Sequence, residues 1–444
     1  MNQLNLEPVE GTFAHDLARR LWPLNRSITG AGTRQTLSII KEHLPALEIR
    51  EVPSGTEVFD WQVPDEWTMR SATLTDPAGK IIIDYSDSNL HVVGYSMPVD
   101  QMMTLDELQP HLHSIPQQPD AIPFVTSYYN PTWGLCLTHE QRQGLKPGNY
   151  HVRIDSIIEP GSMTYGELII PGASIDEVFI STYICHPSMA NNELSGPVVT
   201  TALALWLLSQ PKLHYTYRLA FTPESIGAIA YASRNLQELK SNVVAGFQLT
   251  CIGDDRAYTY LASRNGNTRI DRIAKRMLKN RDNVVQYSYL NRGSDERTYS
   301  AAGVDLPFIS IMRSRYSDYP EYHTSLDDLE NVVTPTGLQG GFEVVRDCIQ
   351  TLEQEPVLLA TQLGEPQLGR RGLYHVMMKK TTPVEVMLRT NILAYADGEH
   401  AISDMSEIFD VPAATLIPMV DELKAHDLVR EHHQSNHRHP GALN

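Results

Sequence analysis

Cysteine is scarce: Cys136, Cys185, Cys251 and Cys348 are the only four in 444 residues, and no two form a C-x-x-C pair. A disulfide framework is therefore not expected, and a reducing, cytoplasmic setting is. Basic residues are in deficit as well, with 36 Lys and Arg against 53 Asp and Glu and a formal net charge of −17. So acidic a chain lacks the broad basic face that nucleic acid or an anionic membrane surface requires. Long apolar runs are missing too. The longest, "PVVTTALALWLL" from Pro197 to Leu208, carries two threonines and reads as a buried helix. It falls short of the roughly 18 residues that span a bilayer. The start, "MNQLNLEPVEGTFAHDLARR", has acids and no apolar core where a signal peptide has cations and an apolar stretch. What is present is ordinary for a folded protein, 41% hydrophobic and 20% charged residues, in a chain long enough for two or three domains.

The texture changes twice along the chain. Residues 11–50 read as helical, with "LSIIKEHLP" closing at a proline. From Ser54, "TEVFDWQVPDEW", "ATLTDPAGKIIIDY" and "NLHVVGYS" are short strand-like runs cut by turn residues, and "DPAG" reads as a hairpin turn. This β-rich texture lasts to Ile158. Beyond Thr164, strand-like "EVFISTYICH", "HYTYRLAFTP", "VVAGFQLTCIG", "NVVQYSYL" and "LPFISIMR" are interleaved with helical "GPVVTTALALWLLSQ", "SIGAIAYASRNLQEL" and "RIDRIAKRMLKN". That alternation predicts βαβ units and a mostly parallel sheet flanked by helices.

From Gly369, helix, turn, helix and the strand-like "LVRE" give a winged helix-turn-helix. The expected division is 1–53 (helical part of the α/β domain), 54–158 (inserted β-rich domain), 159–365 (α/β domain) and 366–444 (winged helix). The last part ends in the His-rich tail "EHHQSNHRHPGALN", read as mobile. It holds ten Asp and Glu against eight Lys and Arg from Gly369 onward, and its second helix, "PAATLIPMVDELKAH", has Lys424 as its one basic residue. DNA readers present a basic recognition face. A structural role, or assembly of a homo-oligomer, is therefore expected rather than DNA binding.

Ligands of parallel sheets bind beyond the C-terminal ends of the strands. Those ends hold a consistent set. "STYICHPSMANNELSG" supplies His186 and Asn192, and "FTPESIG" supplies Glu224. "QLTCIG" supplies Thr250, followed by Asp254 and Asp255, and "YPEYHTSLDDLE" supplies His323 and Asp327. Histidines, an amide and carboxylates at one rim suit a zinc ion, with Glu224 as general base on a water.

Taken singly, each residue has a plainer role: a hydrogen-bonded histidine, an asparagine cap, an acid at a helix start. Cys185 and Cys251 read as small buried apolar residues, and Glu193 as facing solvent or capping the helix. "RGSDERTYS" is either a solvated ion-pair loop or a recognition loop, with Asp295 for an amine and Arg292 or Arg297 for a carboxylate. Tyr322 or Tyr319 is placed to donate to a carbonyl or oxyanion.

The stretches "SGTEVFDWQVPDEW", "STYICHPSMANNELSG", "RGSDERTY" and "EYHTSLDDLE" carry a resemblance that spans nearly the whole length. The chain resembles the co-catalytic zinc aminopeptidase clan, which also contains glutaminyl cyclases. Within it, the likeness is to bacterial aminopeptidase-like chains with an inserted β domain and a C-terminal winged helix, associated with polysaccharide biosynthesis. The resemblance implies a zinc-exopeptidase-like α/β fold with a strand-end histidine at His186 and a general base at Glu224. It puts Asn192 at the bridging-aspartate position, Ser225 and Thr250 at two further ligand positions, and the final histidine at His323, with Asp327 four residues on. Two ligands are thus lost and one is weakened to an amide. That implies one zinc ion held by His186, Asn192 and His323, with Glu224, Asp254 or Asp255 assisting. The implied activity is zinc-dependent, aminopeptidase-like hydrolysis of a small peptide or aminoacyl conjugate. A catalytically silent binding protein and a regulator using its winged helix are the readings that stay open.

Overall fold

The structure, a computed structural model, describes residues 9–374 and 383–432. The His-rich tail from His433 onward lies outside the described residues. Two compact units are distinguished, one from residues up to 266 together with 277–346, the other from 267–276 together with 347 onward. The β-rich stretch after Ser54 folds within the first unit.

The first unit is organised on an eight-stranded sheet. Its strands are β1 (Glu48–Pro53), β2 (Ser162–Ile170), β3 (Glu177–Tyr183), β4 (Thr216–Thr222), β5 (Val243–Leu249), β6 (Tyr258–Leu261), β7 (Val284–Tyr287) and β8 (Phe308–Met312). They lie in the order β1-β2-β4-β3-β5-β8-β6-β7. The central strands β4, β3, β5 and β8 are mutually parallel, while β2 and β6 join them antiparallel. Every residue of β3 and β5 is buried, which is why both read as near-continuous apolar runs. Strand β6 is not among the strands expected from the sequence.

The chain leaves β3 through the helix Ser195–Ser209 to β4 on one side, then returns through the helix Ile226–Asn242 to β5 on the other. The C-terminal end of β3 is therefore the switch point where a crevice must open. Gly196 lets the first of these helices start directly on the strands. A Cβ there would come within 2.3 Å of Thr182 Oγ1 and 2.4 Å of the Leu249 carbonyl oxygen. Gly196→Ala is expected to cost about 1–3 kcal/mol by overpacking, read as a lower urea midpoint at unchanged slope. An unchanged midpoint would mean that the strands yield at no cost.

Residues 66–159 contain a four-stranded antiparallel sheet, ordered Ile81–Asp84, Glu66–Thr75, Asn149–Glu159, Val99–Thr104. Its first hairpin turns at the Asp-Pro-Ala-Gly stretch, where Asp76 Oδ1 accepts from the backbone of Ala78 and Lys80. A later loop returns to the rim of the large sheet. There the Ile122 N–H donates to Ser325 Oγ at 3.0 Å, and the Phe124 N–H donates to the His323 carbonyl at 2.9 Å.

The second unit has a three-stranded antiparallel sheet with Val357–Ala360 between Asp397–Ala401 and Val429–His432. Helices Val384–Tyr395, Ile402–Phe409 and Ala413–Ala425 close its core through Leu388, Ile392, Met405, Leu416, Val420 and Leu423. This is the winged helix. The helix Arg269–Leu278 contributes to it from far upstream: Arg272 and Arg276 both pair with buried Asp404, at 3.1 and 2.6 Å. On the helix Ala413–Ala425 the exposed residues include Thr415, Ile417 and Asp421, while Lys424 is paired with Glu431. Among the described residues no helix is long and apolar enough to cross a membrane.

Candidate functional site

Three turns at the strand ends run through left-handed non-glycine residues: Ser225 (φ 61°), Cys251 (φ 49°) and His323 (φ 58°). Such conformations cost on the order of 1–3 kcal/mol each and persist where surrounding bonds over-determine them. Those bonds are visible. Asp295 Oδ1 accepts the Ser225 N–H at 2.8 Å, and Arg297 donates to Ser225 Oγ. The Cys251 carbonyl accepts from the Arg313 N–H at 2.7 Å, and the His323 carbonyl from Phe124.

His186 follows β3 and is buried. Glu193 Oε2 lies 2.8 Å from its Nδ1, and Glu224 Oε2 lies 3.5 Å from its Nε2. Burial opposes a charge on this ring, but Glu193 and Glu224 outweigh it and raise its proton affinity. Glu193 itself is fully buried, with Arg26 Nε 3.8 Å from its other oxygen. This corrects the expectation that Glu193 faces solvent. The segment Ala190–Leu194 forms a single π-turn ahead of the helix, and the wider turn carries Glu193 under His186.

Asn192 is also buried. Its Nδ2 donates to Tyr183 Oη at 2.7 Å and its backbone carbonyl oxygen accepts from Thr250 Oγ1 at 2.8 Å, while its Oδ1 has no partner among the described residues. Asp327 takes the backbone N–H groups of Asn191 and Asn192 at 2.7 and 2.9 Å. It anchors the helix start, as an anion at a helix N-terminus does.

Asp254, expected as a metal ligand, is engaged in loop structure. Its carboxylate accepts from Asn191 Nδ2, from the Ser314 N–H and hydroxyl, and from the Arg256 N–H, all at 2.8–2.9 Å. Four donors spend its lone pairs on loop structure. Asp255 is turned to Thr334.

Glu224 is partly exposed, and its Oε1 accepts from Ser294 Oγ at 3.3 Å. Burial raises its proton affinity against the pull of His186 and Arg297. The "RGSDERTY" loop is not a solvated ion-pair loop, because Asp295 and Glu296 are both 0% exposed. Burial and then Glu224 push the Asp295 carboxyl well above its usual range. It faces inward under Ser225, so the expected amine contact is corrected to a structural one. Arg292 and Arg297 are exposed, with Arg292 lying over the Tyr289 ring at 4.6 Å.

His323 stacks on Tyr322 at 3.9 Å, with its ring centroid 5.6 Å from that of His186. Burial and the neighbouring His186 lower its pKa to about 3, so the ring is uncharged. His186, Glu224, Ser225 and His323 line one cavity of about 290 Å³, and Trp61, Phe124, Tyr128 and Tyr129 supply aromatic lining. Neither Arg26 nor these aromatics were singled out for the site in the sequence. The aromatics come from the β-rich stretch, and Trp61 lies within the "SGTEVFDWQVPDEW" motif.

These residues fit one cation. With Nδ1 of His186 facing Glu193, Nε2 is the nitrogen left for a ligand bond, the usual arrangement behind a metal-binding histidine. His323 is neutral, and Asn192 Oδ1 is a buried acceptor without a donor. A second ion is not served. Ser225 Oγ is taken by Arg297, and Thr250 Oγ1 by Asn192 and Tyr183. Cys185 Sγ also lies near Nδ1 of His186, but burial pushes its thiol far up and keeps the proton on sulfur.

Residues 15–355 match a family described as a domain of unknown function, DUF4910, and residues 356–431 match a winged helix-turn-helix family. A Clostridium acetobutylicum protein, provisionally named a polysaccharide biosynthesis protein with an aminopeptidase-like domain, is 41% identical over 399 residues. The alignment covers 89% of this chain and 91% of that one. The crystal structure of a provisionally assigned peptidase from the same species is 38% identical with a TM-score of 0.81, covering 96% of this chain and 97% of its own. A zinc aminopeptidase from Bacillus subtilis shares the fold, with a TM-score of 0.56 at 12% identity, over 78% of this chain and 95% of its own. With its aminopeptidase-like α/β fold and a winged helix-turn-helix behind it, the chain belongs to the DUF4910 family.

Proposed function

We propose that the protein is a zinc-dependent, aminopeptidase-like amide hydrolase with a one-ion site, acting on a small peptide or aminoacyl conjugate. The observation that carries this reading is the row Glu193–His186–Glu224, which ends in an aromatic cavity beside the uncharged His323. His186, His323 and Asn192 would hold the ion, which supplies Lewis acidity toward a carbonyl. The rest falls to the chain's own groups. The aromatic walls take up the acyl or side-chain group and exclude water. Glu193 fixes the His186 ring. Glu224, steadied by Ser294, accepts the proton of the attacking water and returns it to the leaving nitrogen. On the helix Ala413–Ala425, exposed Asp421 and the pairing of Lys424 with Glu431 support a role in structure or homo-oligomer formation over DNA binding.

Zinc titration against a competing chelator tests the site, in the full chain and in one ending at His432 that lacks the His-rich tail. One ion per chain is expected in the shorter form, and Glu193→Gln should weaken its binding about 10- to 100-fold. No binding by the shorter form, or an affinity indifferent to Glu193, would remove this reading.

A further inference from the structure

One charged group beside the cavity takes no part in the chemistry above. Arg297 is exposed and donates to Ser225 Oγ, itself on the cavity wall, yet among the described residues it makes no ion pair. Three carboxyl groups lie close by, and none is within ion-pair distance of it among the described residues, each having one oxygen bonded to another group. Asp295 accepts from the Ser225 N–H. Glu296 accepts from the Gly293 and Ser294 N–H groups and from Tyr316 Oη. Glu224 faces His186 and Ser294. Arg292, on the same loop, also lacks an ion pair among the described residues. It lies over Tyr289, whose hydroxyl donates to the Arg297 carbonyl at 3.5 Å. One loop thus carries two guanidinium groups with no ion pair among the described residues, and one of them, Arg297, holds the wall of a cavity that also contains Trp61, Phe124, Tyr128 and Tyr129.

We propose that the cavity selects a ligand bearing a carboxylate, held by Arg297 with Arg292 beside it, and an aromatic or apolar group packed among Phe124, Tyr128 and Trp61. A guanidinium presents a planar fork that matches a carboxylate with two parallel N–H···O bonds, which an ammonium cannot do. A mostly apolar cavity with few polar groups at one end fixes a ligand's orientation in the usual way. The proposal rests on the preceding reading only in taking this cavity as the substrate site, and it concerns binding rather than turnover.

The test uses N-acetyl-L-phenylalanine and N-acetyl-L-phenylalanine amide, which share an acyl and an aromatic group and differ in charge. Each is titrated into the full chain and followed by ligand-observed NMR. The acid is expected to bind about tenfold or more tighter than the amide, as a charge-assisted pair allows. Arg297→Gln should bring the acid down to the amide's affinity, and Arg297→Lys should keep part of the preference. Equal binding of acid and amide by the parent would overturn the proposal. So would a preference that survives Arg297→Gln, or no binding of either probe at millimolar concentration. An acid preference lost in Arg297→Gln, in a protein that hydrolyses no amide, would uphold the ligand class and sink the hydrolase.

Discussion

Glu224→Gln is expected to lower turnover of an amide substrate by on the order of 10²- to 10⁴-fold, the range general-base catalysis contributes. Glutamine matches the side chain in size and can still accept from Ser294, so the cavity wall should keep its shape. What it cannot do is take a proton. Among the described residues Glu224 is the one carboxyl group lining the cavity, since Glu193, Asp295 and Glu296 are fully buried. No neighbouring acid can therefore substitute. Rates on a panel of aminoacyl 4-nitroanilides, with thermal melting and zinc content measured on the same samples, check the prediction. An unchanged rate would take Glu224 out of the chemistry. A rate lost together with zinc would make it a ligand instead.

Arg26→Met should destabilise the first unit by about 3–5 kcal/mol, the usual result of removing one partner from a buried charge pair. Arg26 is 1% exposed and ties three elements together. It donates to the His186 carbonyl at 3.0 Å and to the Leu21 carbonyl at 2.6 Å, and it stands 3.8 Å from Glu193. Methionine follows the stem but leaves Glu193 buried against His186 alone. The double variant Arg26→Met/Glu193→Gln should recover part of the loss, because the stranded charge goes with it. Urea midpoints of the two single variants and the double one decide the matter. A cost for Arg26→Met below about 1 kcal/mol would show that Arg26 and Glu193 do not act as a buried charge pair.

The strand ends were legible because parallel sheets impose them. Runs as apolar as those of β3 and β5 can only be buried on both faces, and whatever polar residue follows such a run stands at the rim. His186, Glu224 and His323 were found that way, and the structure brings all three to one cavity. The surroundings of Asp254 were not legible, because reach along the chain says nothing about competing donors, and four of them bond to it. Glu193 was misjudged because one extra residue in a helical turn rotates every side chain in it, and "ANNEL" gives no sign of the wider turn. A signal did exist. The helix that follows, "SGPVVTTALALWLLS", has no polar face, so an acid at its threshold had little chance of reaching water. Arg26 and the aromatic walls reach His186 from more than 50 residues away in sequence, and single-sequence patterns do not extend that far.

The upstream helix that completes the winged-helix unit has a consequence in time. Residues 267–276 leave the ribosome before 277–346, which belong to the other unit, and the winged helix comes only after those. At roughly 5–20 residues per second, that interval lasts several seconds. Throughout it, Arg272 and Arg276 have no Asp404 to meet. The C-terminal unit is thus the last to form, and it closes on a piece of chain made long before, a distant closure of the kind that slows folding. A nascent chain halted after residue 346 would carry Arg272 and Arg276 without the carboxylate that both pair with in the complete protein.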